Sequence, residues 1–184
     1  MTPRRLLVAL AISAVFCVIP EVASGRTGYY RSNGIGIPFE KISKDQVADH
    51  RFVLVHLATT ETDNKKSEER LLLDAGNLTH RWVKIRDASG GLLEEADYLN
   101  GMLVSERSFD STGNITVETV YEAGALVSRT TYVYEPLLIN IEATGKDSTV
   151  LFRATYQLAR TGHLREFIHI APGEDQSGVR FLFS

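Results

Sequence analysis

The chain has 184 residues, 43% of them hydrophobic and 23% charged, a balance that suits one folded domain and excludes global disorder. A formal net charge of -3 and a pI near 6.0 remove the electrostatic case for nucleic-acid binding, so no nucleic-acid partner is expected. The single cysteine, Cys17, excludes an internal disulfide framework.

The chain opens on Met1-Thr2-Pro3-Arg4-Arg5, a short positive start, followed by an uncharged, mainly apolar stretch from Leu6 to Ile19 and then Pro20. Val22-Ala23-Ser24 supplies small residues for cleavage, so 1–24 reads as a secretory signal peptide. Its apolar stretch makes about 21 Å of helix, short of a ~30 Å hydrocarbon core, so a retained anchor is the weaker reading. Lipidation at Cys17 is disfavoured by the bulky Phe16 before it. The expected product is exported, periplasmic or at the cell surface, with no integral membrane anchor after cleavage.

Residues 25–70 read as an N-terminal arm interrupted by Gly28, Gly34, Gly36 and Pro38, a strand over 51–58, and a polar loop over 59–70 (TTETDNKKSEER) with a short exposed helix as its alternative. From Leu71 the pattern becomes periodic, so 71–184 reads as the main domain. Glycines stand at 76, 90, 101, 113 and 124. After each of the last four, Leu or Ile follows two residues on (Leu92, Leu103, Ile115, Leu126) and an aromatic eight residues on (Tyr98, Phe109, Tyr121, Tyr132). Self-similarity at a fixed period marks repeated supersecondary units. Both offsets are even, so in a regular strand each Leu or Ile shares a face with its aromatic. Turn residues accompany the glycines, as in Asn100-Gly101 and Asp110-Ser111-Thr112-Gly113. The connections are too short for parallel crossovers, so the strands form an antiparallel meander.

Further strands are expected over 137–141, 149–158, 164–170 and 179–183, about nine to eleven in all, with no helix after the signal. The fold class is all-β: an antiparallel meander of glycine-punctuated hairpins forming an open twisted sheet or half-barrel. The stretch Phe109-Asp110-Ser111-Thr112-Gly113-Asn114-Ile115, with Tyr121-Glu122-Ala123-Gly124-Ala125-Leu126 after it, resembles the YD repeats of RHS-type surface proteins and the MORN-like repeats of bacterial antitoxin-type proteins. The resemblance covers about residues 90–134. It implies extended β-structure used as a scaffold or binding surface, and it implies no catalytic residues.

The chemistry-bearing residues form no recognised motif. His50, His56, His80, His163 and His169 show no paired metal-ligand spacing, and no G-x-S-x-G elbow or phosphate loop is present. No catalytic residue, cofactor or metal is assigned. The expected binding residues are the apolar stripe Leu92, Tyr98, Leu103, Phe109, Ile115, Tyr121, Leu126 and Tyr132, since an uncovered apolar face needs a ligand. The expectation is therefore a non-enzymatic envelope scaffold or binding module for an unidentified protein, glycan or lipid. The alternative is a periplasmic half-barrel carrier of a lipid or other apolar ligand.

Overall fold

The computed structural model describes residues 27–62, 64–173 and 178–183; the expected signal peptide and Cys17 lie outside them. The strands are β1 (Thr27–Ser32), β2 (Pro38–Ile42), β3 (Phe52–Thr62), β4 (Lys65–Asp74), β5 (Asn77–Arg86), β6 (Leu92–Leu99), β7 (Met102–Phe109), β8 (Ile115–Glu122), β9 (Ala125–Glu135), β10 (Leu138–Gly145), β11 (Val150–Leu158), β12 (Leu164–Ile170) and β13 (Val179–Leu182). All thirteen join one antiparallel sheet, in which β3 to β13 follow chain order and β1 lies between β3 and β2. The sheet does not close: β2 and β13 are its two edges. The architecture is thus the antiparallel meander that the glycine pattern predicts, and of the two expected forms, open twisted sheet or half-barrel, it takes the open one.

A short 3-10 helix, Lys44–Asp49, interrupts the arm, which otherwise supplies both β1 and β2. The Ser43 N–H donates to the Gln46 side chain (3.0 Å) at the start of that helix. Among the described residues, this helix lies against β1, and its Val47 reaches the buried side chains of β3 and β4; the strands from β5 onward make substantial element-to-element contacts only with their sheet neighbours. The sheet is therefore one layer thick over most of its width.

Two layers form only at the N-terminal end. Val53, Val55 and Leu57 of β3 and Leu71 and Leu73 of β4 make a buried cluster on one face, called here the back, with Tyr29, Ile42, Val47 and Leu78 packed on it. On the front face, Leu54 and Leu72 are buried as well. The turn after β1 folds over Leu54 and Trp82, with Gly36 so near the Trp82 ring that an added Cβ would lie 3.0 Å from it. Among the described residues, the other buried hydrophobics are only Ala143 and Ala154.

The polar segment 59–70 corrects the sequence reading. It is not a loop or helix but the distal part of the β3–β4 hairpin, and the expected division at residue 70 falls inside β4. Its charges stabilise the ladder instead of solvating a turn. Arg81 makes a fork on Glu69 (2.9 and 3.0 Å), and His56 Nε2 meets Glu68 Oε1 at 3.0 Å.

The four repeat glycines lie in turns, as their spacing predicts, all with φ between 79° and 93°. Two turn designs alternate. Asn100-Gly101 and Ala123-Gly124 are two-residue turns with both φ values positive, matching the right-handed twist of a hairpin. At the opposite sheet end, Asp87–Gly91 and Asp110–Asn114 each close by paired backbone hydrogen bonds, with Gly90 and Gly113 at the left-handed position.

The shared apolar face is not observed. Most hairpins carry a register shift, and each shift reverses side-chain parity. Leu92 stands opposite Arg86, while Tyr98 of the same strand stands opposite Arg81, so the two point to opposite faces. Tyr98 pairs instead with Leu103, Phe109 with Ile115, and Tyr121 with Leu126. The Tyr98–Leu103 and Tyr121–Leu126 pairs lie on the back; Leu92, the Phe109–Ile115 pair and Tyr132 lie on the front. All eight are half-buried, and among the described residues none is covered by a second layer.

Candidate binding surface

Across the middle of the front face runs a row of polar side chains at one level of the sheet. Lys84 stands opposite Glu95, Glu95 opposite Arg107, and Arg107 opposite Glu118. Lys84 Nζ lies 2.5 Å from Glu95 Oε1, and Arg107 reaches Glu95 Oε2 at 3.8 Å and Glu118 Oε1 at 2.7 Å. The Tyr132 hydroxyl ends the row, 3.5 Å from Glu118 Oε2. Charges alternate in sign along the row, so every cation has an anion beside it. The hydrogen bond to Glu118 holds the Arg107 guanidinium above its ordinary pKa against partial burial. Burial, with the Glu118 charge, likewise raises the Tyr132 phenol.

Beside the row is a shallow depression of about 190 Å³, lined among others by Arg70, Trp82, Lys84, Glu95, Asp97 and Arg107. Trp82 stacks on His80 with ring centroids 5.4 Å apart, and Asp97 accepts from Ser105 Oγ (3.2 Å). Arg70 has no ion partner among the described residues, so the depression offers one uncommitted cation and one aromatic face. On the back, Arg81 lies over the Tyr98 ring (5.1 Å to its centroid), and Tyr121 donates to Glu106 at 2.7 Å. Three of the four predicted aromatics, Tyr98, Tyr121 and Tyr132, thus engage polar partners.

The residues of the row were not among the predicted binding residues, yet a signal for them exists. Lys84, Glu95, Arg107 and Glu118 each stand six residues before a repeat glycine (90, 101, 113 and 124). The same period that sets the turns therefore sets the row. No three His, Cys, Asp or Glu side chains gather to hold a metal among the described residues. No helix there is long and apolar enough to cross a membrane. No family model, curated protein or solved structure matches the chain.

Proposed function

We propose that this chain is an exported, non-enzymatic β-repeat protein of the cell envelope, serving as a scaffold and binding module. The observation that carries the reading is the single-layer sheet, which from β5 to β13 presents two broad accessible faces. The resemblance of residues 90–134 to YD and MORN-like repeats agrees with it. Division of the apolar residues between the two faces favours a polar partner, a protein or glycan, over a lipid. The carrier alternative needs an enclosed apolar interior, and an open sheet supplies none from the same strands.

Cell fractionation tests the reading. A shortened product, cleaved near Ser24 and recovered from the periplasm or cell surface, is expected. A full-length product confined to the cytoplasm overturns it.

A further inference from the structure

The two edges of the sheet differ in how they meet solvent. β2 carries Pro38, Glu40 and Lys41, devices that blunt a free edge. β13 is Val179-Arg180-Phe181-Leu182, continued by Phe183, and its one charge lies close to a counter-charge: Arg180 Nε is 2.6 Å from Glu166 Oε1, near enough for an ion pair though not aligned as a hydrogen bond. Leu182 is 76% exposed, and Val179, Phe181 and Phe183 are each about half exposed.

The hydrogen-bond phase of this edge follows from one contact. The Phe183 N–H donates to the Arg165 carbonyl (3.0 Å), so in an antiparallel ladder the odd-numbered residues of β13 bond inward to β12. The N–H and C=O groups of Arg180 and Leu182 then point outward. On the front face, Tyr156, Phe167 and Phe181 form a cross-strand aromatic ladder, with centroids 4.7 and 5.8 Å apart, that ends at this edge.

We propose that β13 pairs edge to edge with β13 of a second copy, antiparallel, about a two-fold axis at Phe181. This register matches all five residues 179–183 with one another. Arg180 and Leu182 of each copy exchange backbone hydrogen bonds with Leu182 and Arg180 of the other. The two Phe181 rings meet on the axis, at a non-hydrogen-bonded position where side chains approach closely, and the aromatic ladder runs on into the second sheet. Shifting the register by two residues one way sets Arg180 against Arg180; the other way matches only residues 181–183 with one another. The interface is self-complementary, as a two-fold dimer requires.

Sedimentation equilibrium of the processed chain across a wide concentration range tests the proposal. A concentration-dependent dimer is expected, weakened about tenfold by Leu182→Lys, which sets a lysine opposite each Arg180. Leu182 is too exposed for that change to unfold β13. In the processed chain, from which cleavage near Ser24 removes Cys17, Phe181→Cys is expected to form an intermolecular disulfide faster than Leu182→Cys, because only residue 181 faces its own copy. A monomer at every concentration, an unchanged dimer with Leu182→Lys, or faster cross-linking through position 182 each overturns it. A monomer would leave this edge to a strand of other origin.

Discussion

Arg107 and Glu118 stand directly opposite each other on β7 and β8, and the same guanidinium that bonds Glu118 at 2.7 Å reaches Glu95 on β6 at 3.8 Å. One side chain therefore separates two carboxylates that would otherwise face each other across a strand. Among the described residues no hydrophobic layer lies above the row, so its worth lies in charge pairing across the four strands β5 to β8.

Arg107→Ala is expected to cost about 1 kcal/mol, the upper range for partly exposed pairs, since it removes one cation from two anions. Urea denaturation gives the value. A double-mutant cycle with Glu118→Gln separates the pair itself from the rest of the network. Equal midpoints for wild type and Arg107→Ala would show that the row adds nothing to stability.

Stability should be concentrated at the N-terminal end. Leu72 is fully buried, and Leu72→Ala is expected to cost about 3 kcal/mol, whereas Leu126→Ala on the open part of the sheet should cost about 1 kcal/mol. Native-state hydrogen exchange at concentrations low enough to keep the chain monomeric should show the strongest protection in β3 and β4 and the weakest in β2 and β13. Uniform protection from β3 to β13 would contradict this gradient.

The Asp110 turn is expected to respond to acid. The Thr112 hydroxyl, and then the Asn114 N–H, bond the carboxylate and lower its pKa to about 2. A depressed folded pKa means that the turn's contribution is present above the ordinary value of 3.8 and is lost as pH falls through about 2. Following the Asp110 carboxyl by NMR should give a midpoint near 2; a midpoint near 4 would show that these hydrogen bonds do not persist in solution.

Ala123 is held at φ 49° in its two-residue turn, where Asn100 occupies the equivalent place at φ 50°. Asparagine tolerates this left-handed conformation better than alanine. Ala123→Asn should therefore stabilise the protein by about 0.5–1 kcal/mol, read by thermal unfolding. A lower melting temperature would count against the turn geometry.

The antiparallel meander was legible in the sequence because glycine spacing reports turns, and turns depend on local backbone chemistry. The common apolar face was not, because counting by twos assumes an unbroken ladder. Register shifts, as between Asp97 and Tyr98 and between Ser108 and Phe109, turn the next residue to the other side without leaving a composition signal. Segment 59–70 was misread for a related reason. A strand in a single-layer sheet needs no apolar face, so Glu68 and Glu69 pair with His56 and Arg81 where a two-layer fold would have placed leucines. The charge row is legible only in the common six-residue distance of its members from the repeat glycines, an offset separate from those of the apolar residues.

The alternation of the two turn designs has a consequence for how such a chain grows. Like turns recur from Gly90 to Gly113 and from Gly101 to Gly124, each a step of 23 residues, while successive turns are only 11 or 12 apart. The heritable module is therefore the strand pair. Duplicating or deleting 23 residues lengthens or shortens the sheet while every remaining side chain keeps its face, whereas a single-strand step would turn the rest of the molecule over. Selection acting on such a gene can adjust its span like a telescoping ruler, in even-numbered strands.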